Sequence, residues 1–377
     1  MKRIVAKFGG SSLADGAGFL QVARLLGSDP ARRIAVVSAP GKRREGDEKV
    51  TDLLLSGQFR RAYARFDRIA CELGLPPPDK PDPRRMAGRE FAASRGEEMC
   101  ARLLAALMGW RFLDAAQVIR FDEAGRLREE ETRARLRAAL SDADGVVLPG
   151  FYGARPDGRI GLFPRGGSDI TGALAAEAVN ARVYENWTDV CGVRRADPRV
   201  LPDAPRIERM SYGELRALAE AGAQVIHESA LEPIRRARVP MHIRCTFAPE
   251  GGGTWVSEQS AREEPGIVAL AGRGNRTLLH LPPGAPTPAC EMLCRAGDGL
   301  ECLLCGPAEG AQGGWARLTL VGRFSPAALE AVFHALARAE VFPRLIELDA
   351  AHAALRLALP EDRLEAAVRA LGRADPI

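Results

Sequence analysis

At 377 residues the chain is too long for one ordinary domain, and its apolar content suffices for two or three cores. Its 53 basic and 49 acidic residues leave a formal charge of +4, dispersed along the chain, and 6% aromatic residues are too few for a base-stacking surface, which argues against nucleic acid as a partner. No apolar run reaches membrane-spanning length and the amino terminus turns polar and glycine-rich at once, so neither a membrane nor a signal peptide is expected, and the location is read as cytoplasmic.

Up to about residue 246, short β-branched runs alternate with alanine- and leucine-rich stretches at helical period. The strands expected are "RIVAKF", "RRIAVVSA", "GVVLPG", "ARVYEN" and "VPMHIRCTF". Helices are expected over Thr51 to Glu72, Gly96 to Leu107, "RLREEETRARLRAAL", "DITGALAAEAVN" and "SYGELRALAEAGA". This alternation predicts an α/β fold, a three-layer α/β/α sandwich around a mainly parallel sheet.

The first strand runs into "KFGGSS". Two glycines let backbone approach an anion, free N–H groups there can point at phosphate oxygens, and Lys7 brings charge to the rim; a plain strand-to-loop turn uses the same residues. It is not a Walker A loop, because GxxxxGK[ST] is absent. The second strand opens into "SAPGKRREGDEKVTDLLL", placing Ser38 at a strand's carboxyl end, where open α/β sheets hold ligands; Thr51 reads as a ligand or as a helix cap. Lysine is otherwise rare: the only five are Lys2, Lys7, Lys42, Lys49 and Lys80, which hints at a local need for compact ammonium groups.

"SRGEEMCARLLAAL" puts Glu97 and Glu98 at the head of an apolar-faced helix, where a carboxylate complements the helix dipole or receives a substrate ammonium. "FPRGGSDITG" sets Arg165 before a glycine pair and Ser168 and Asp169 at a helix start, an anion-binding arrangement in which Asp169 orients a lysine, helps hold a metal-nucleotide, or caps the helix. "NWTDVCGVRRADPR" adds Thr188 and Asp189 at a strand end and Arg194, Arg195 and Arg199 in reach of polyphosphate, or else as solvated surface charge.

Beyond a glycine- and charge-rich stretch the texture changes. "WARLTLVGRF", "SPAALEAVFHALARAEV", "PRLIELDAAHAALRLALP" and "EDRLEAAVRALGR" read strand, helix, two strands, helix, a small α+β module of ferredoxin-like type. Of eight cysteines, Cys290, Cys294, Cys302 and Cys305 cluster with spacing that a structural zinc can use, while "LECLLCG" also reads as a buried strand with cysteine as a small apolar residue, the reading preferred.

In order, "KFGGSS", "VVSAPGK…VTDLL", "GEE", "GFYG…RGGSD", "NWTDVCGV..ADPR" and "AGAQVIH" resemble the aspartate kinase branch of the amino-acid kinase family, from residue 3 to about 255. The resemblance implies ATP-dependent phosphorylation of the aspartate side chain, with Mg²⁺ arriving on ATP and no dedicated metal site. It implies catalytic roles for Lys7 and Asp169 and an aspartate site at Thr51, Glu97, Arg165 and Ser168. It places the nucleotide against Lys7, Phe8, Gly9, Gly10, Ser11, Ser38, Thr188, Asp189, Arg194 and Arg199. A kinase of another amino acid or carboxylate, and a non-catalytic amino-acid-binding subunit, are the competing readings. The family commonly has tyrosine where Arg194 stands, lysine where Gln224 stands and an "HP" pair where "HESAL" begins. The expected domains are a kinase domain over 1–250, a linker over 251–265 and an ACT-like region over 266–377, with 266–314 a degenerate first unit and 315–377 a second. Such a region implies a homodimer.

Overall fold

Five consecutive buried residues form β1 (Ile4–Phe8) at the centre of the first sheet. The computed structural model describes residues 2–373 except 83, 143, 165, 224–225, 259–265, 298, 307, 309 and 350–352. The chain divides into two compact units, Met1–Gly192 with Ile226–Ser257, and Val193–Val225 with Glu258–Ile377. The segment Val193–Val225, grouped by its sequence pattern with the first region, thus belongs to the second unit.

In the first unit, β1 is flanked by β2 (Arg32–Val37) and, after β3 (Arg111–Phe112), β4 (Val146–Pro149) and the hairpin β5 (Tyr152–Ala154) with β6 (Ile160–Leu162), by β7 (Val183–Thr188). β8 (Met241–Cys245) and β9 (Thr254–Ser257) follow. The order β3-β4-β2-β1-β7-β8-β9 is parallel throughout except for β9, which runs antiparallel to β8. Thr254–Ser257, expected within a linker, is therefore a strand.

Several helices accompany this sheet. They are α1 (Gly16–Gly27), α2 (Val50–Leu55), α3 (Phe59–Leu73), α4 (Arg89–Met108), α5 (Glu129–Leu140) and α6 (Gly167–Ala178). One face of β1 and β7 carries Ala6, Phe8 and Trp187 into an apolar core with Phe19 and Val22 of α1, Phe66 and Ile69 of α3, and Leu103 and Leu104 of α4. Side chains alternate along a strand, so Lys7 and Asn186 turn to the opposite face, which α6 covers. Helices on both faces of a mainly parallel sheet make the expected three layers.

Two helix expectations need correction. The single helix over Thr51 to Glu72 is two, α2 and α3, because Gly57 takes a left-handed φ of 73° between them. The helix expected from Gly96 begins at Arg89, so Glu97 and Glu98 lie within α4 rather than at its head, and the dipole argument for them lapses.

The second unit contains Arg209–Ser211 and the helix Tyr212–Glu220, whose Ser211 and Glu214 form a reciprocal capping box. Its sheet consists of β10 (Gly266–Leu281), β11 (Met292–Ala296), β12 (Gly299–Cys305), β13 (Gln312–Arg323), β14 (Leu345–Asp349) and β15 (Ala354–Pro360), antiparallel in the order β11-β12-β10-β13-β15-β14. Helices α7 (Pro326–Arg338) and α8 (Leu364–Gly372) seat Val332, Leu336, Val368 and Leu371 on Leu318, Leu320, Leu355 and Leu357. The ferredoxin-like order of residues 315–373 is realised. Among the described residues, 266–314 supply strands and no helix.

The four clustered cysteines belong to this strand arrangement. Cys294 lies opposite Glu301, the neighbour of Cys302, so alternation sends the Cys294 and Cys302 thiols to opposite faces. Cys302 is buried, Cys305 exposed, and Cys294 bonds the Ile346 carbonyl at 3.7 Å. No group of three or more His, Cys, Asp or Glu residues among those described is arranged to hold a metal.

Candidate active site

The register of the parallel sheet decides what meets Lys7. Lys7 of β1 pairs with Asn186 of β7, and α6 brings Asp169 over both. Lys7 Nζ is 2.6 Å from Asp169 Oδ1 and donates to Asn186 Oδ1 at 3.3 Å; Asn186 Nδ2 donates to Asp169 Oδ1 at 3.5 Å. Only 8% of Lys7 is exposed, so its ammonium, once desolvated, depends on these two oxygens. The triangle fixes a compact positive group at the carboxyl ends of β1 and β7.

Beside it, the glycine turn passes close to the loop after β2. Gly41 N–H donates to the Gly10 carbonyl at 2.8 Å, and a Cβ on Gly10 would stand 2.6 Å from the Ala39 carbonyl, so neither strand end tolerates a side chain there. Gly9 N–H is committed to Trp187 O at 3.0 Å, whereas Gly10 and Ser11 begin the one-turn helix Gly10–Leu13 with amides available to a ligand. Ser38 N–H is held by the Phe8 carbonyl at 3.1 Å. These residues wall a cleft of about 500 Å³, together with Lys42, Lys49, Thr51, Glu97, Thr188 and Asp189.

Glu97 is the cleft's buried acid. It is 5% exposed, and its Oε2 has no hydrogen-bond partner in the protein. Burial, only partly offset by backbone hydrogen bonds and by Arg95, pushes its carboxyl up to about 8. An orphaned, desolvated carboxyl is poised to take a cation or a hydrogen-bond donor. Its neighbour Glu98 turns away and pairs with Arg95 and with Arg102 at 2.8 Å.

Most of the residues expected in the site meet here. Lys7 and Asp169 form the triangle; Gly9, Gly10, Ser11, Ser38, Thr51, Glu97, Thr188 and Asp189 line the cleft, the Thr188 hydroxyl donating to Asp189 Oδ1 at 3.1 Å. Ser168 precedes Asp169 and packs on Gly150, where a Cβ would lie 2.5 Å from its Oγ. Others are not part of the cleft's lining. The Phe8 side chain is fully buried, stacked on Trp187 with centroids 6.0 Å apart, so only its carbonyl serves the site. Arg194 and Arg199 belong to the second unit, where Arg194 donates to Ala204 O and Arg199 pairs with Asp197 at 2.6 Å. Arg165 and Gln224 lie outside the described residues.

Three residues went unassigned from sequence. Asn186 joins the triangle through strand register, which no local pattern reveals. Lys42 and Lys49 line the cleft, and the scarcity of lysine elsewhere was their signal.

The model of the amino acid kinase family matches residues 2–245. Aspartokinase 3 of Bacillus subtilis is 34% identical over 71% of this chain and 66% of its own length; the aspartokinase of Chlamydia pneumoniae is 32% identical over 72% and 67%. The chain thus spans about two thirds of the length of these curated relatives. The aspartate kinase structure of Clostridium acetobutylicum superposes with a TM-score of 0.85 at 28% identity, covering 99% of both chains. The E. coli aspartokinase III complex with aspartate and ADP shares the fold, with a TM-score of 0.77 at 24% identity over 98% of this chain and 99% of the other.

Proposed function

Because the chain belongs to the amino acid kinase family, in its aspartokinase branch, we propose that it moves the γ-phosphoryl group of ATP to the side-chain carboxylate of L-aspartate, giving 4-phospho-L-aspartate and ADP. The observation that carries this reading is the Lys7–Asp169–Asn186 triangle beside a glycine turn, the turn itself lining one cleft with a buried carboxyl.

Phosphoryl transfer asks for alignment and charge neutralisation more than for covalent help. Lys7 answers the charge on the phosphoryl group in flight, with Asp169 and Asn186 fixing its position. The Gly10 and Ser11 amides bind phosphate oxygens. Thr51 and Glu97 orient the amino acid, Glu97 taking its ammonium, with Arg165 and Ser168 on its carboxylates. Thr188 and Asp189 border the nucleotide. Mg²⁺ bound to the phosphates would neutralise further charge, held largely by phosphate and water. The antiparallel sheet of the second unit is read as ACT-like and as the seat of a homodimer, with weak feedback by lysine or threonine because 266–314 lack helices among the described residues.

The test is ATP-Mg²⁺ turnover with a panel of amino acids and hydroxylamine to trap an acyl phosphate. Hydroxamate from aspartate alone supports the reading. Turnover with a different acid, or none at all, refutes it.

A further inference from the structure

The loop between β2 and α2 carries seven charged residues between Lys42 and Lys49, with Gly46 as the one uncharged position, and treats its two signs differently. Its acids next to α2 are neutralised by arginines: Asp47 pairs with Arg43 at 2.8 Å and Arg65 at 3.2 Å, and Glu48 pairs with Arg61. Lys42 and Lys49 are both exposed, both line the cleft, and among the described residues no carboxylate lies within 4 Å of either ammonium.

The backbone that presents them is anchored from behind. Arg65, 7% exposed, donates to the carbonyls of Gly41 and Glu48, the latter at 2.8 Å, and these are the residues immediately before Lys42 and Lys49. One buried guanidinium thus clamps the loop at both ends, and a third bond to Ala14 O at 3.2 Å ties it to the start of α1. Gly41 N–H in turn holds Gly10 O, which sets Lys42 next to the glycine turn. The acidic residues of the same lining are Asp189, engaged by Thr188, and Glu97, whose carboxyl burial pushes up to about 8. The cleft therefore concentrates positive charge on a preorganised loop, next to the glycine turn and the start of the Gly10–Leu13 helix.

Resting on the reading above, we propose that Lys42 and Lys49 bind the polyphosphate of the nucleotide, as two ammonium groups beyond Lys7 set in place by Arg65. They act as point charges on phosphate oxygens, the role for which compact, mobile ammonium groups suit.

Equilibrium binding of ADP and AMP to the intact chain, by titration calorimetry at two salt concentrations, tests this. Because both side chains are exposed, Lys42→Met and Lys49→Met fold normally, as circular dichroism checks. Each weakens ADP about tenfold, the worth of one charge-assisted contact, and AMP much less; the double variant has a shallower salt dependence, and Lys→Arg at each site restores most of the affinity. Unchanged ADP affinity in either variant overturns the assignment of that residue, and a loss confined to the KM for aspartate overturns both. A wild-type chain that binds ADP through these lysines yet yields no hydroxamate from aspartate sinks the reaction assigned above and leaves the charge assignment standing.

Discussion

The Ala39 amide lies near enough to the Glu97 carboxyl to favour its charged form, and Gly96 packs against Ala39, joining the middle of α4 to the loop that walls the cleft. Burial raises this carboxyl from 4.5 to about 8, so between those values the folded chain holds a proton that the unfolded chain has lost. Stability therefore falls as pH rises from about 4.5 to about 8 and levels off above, by an amount on the order of a few kcal/mol. Glu97→Gln removes this slope. Denaturant titrations of both proteins from pH 5 to 9 check it, and parallel curves contradict it. A substrate ammonium favours the charged carboxylate, so the KM for aspartate falls as pH approaches 8 in the wild type and not in the Gln variant.

Gly96 lies one residue earlier and allows that contact. A Cβ there would come within 2.8 Å of the Ala39 Cβ and 3.4 Å of Leu54 Cδ1. Gly96→Ala gains about 1 kcal/mol of helix propensity, but overpacking typically costs about 1–3 kcal/mol, so the change is neutral to destabilising and shifts the cleft wall. The expected outcome is a Tm within a few degrees of wild type and a severalfold rise in the KM for aspartate. An unchanged KM argues that Ala39 moves without consequence.

How much of this was readable beforehand follows from which forces were local. β1, β2, β4, β7 and β8 were legible because β-branched runs end at glycine, proline or polar residues within a few positions. The start of α4 was not: Gly88 caps it with no side-chain hydrogen bond, and Gly96 reads as a helix breaker although it sits where two elements pack closely. The cleft's glycine turn and Glu97 were legible by type. Asn186 was not, since it reaches Lys7 only through a pairing of β1 with β7 that sequence separation hides.

Asn186 positions Lys7 and Asp169 without standing in the cleft lining. Asn186→Ala should lower kcat by about tenfold while leaving the KM for ATP within twofold, as expected for a group that acts through another. Lys7→Met should lower kcat by about 10³, the scale of one preorganised charge donor lost. The double variant should be no worse than Lys7→Met alone. Additive losses would show that Asn186 has a separate role.

On the opposite face of β7, Glu185 gathers three donors: Arg32 Nε at 2.7 Å, Trp187 Nε1 at 2.9 Å and Arg244 at 3.4 Å. It is 3% exposed, and both guanidinium groups also lie over the Trp187 ring, 5.5 Å and 4.3 Å from its centroid. Glu185→Ala leaves Arg32, 7% exposed, without its carboxylate, which costs about 3–5 kcal/mol for a broken buried pair. The loss falls on the strand that presents Asn186 and Thr188, so folding stability should drop before any effect on substrate affinity is seen at low temperature. Urea unfolding at 10 °C with parallel ADP titration separates the two. The Glu185→Ala, Arg32→Met double variant should recover part of the stability, because no unpaired buried guanidinium remains at that position; a double variant as unstable as Glu185→Ala would place the cost in lost packing around Trp187 instead.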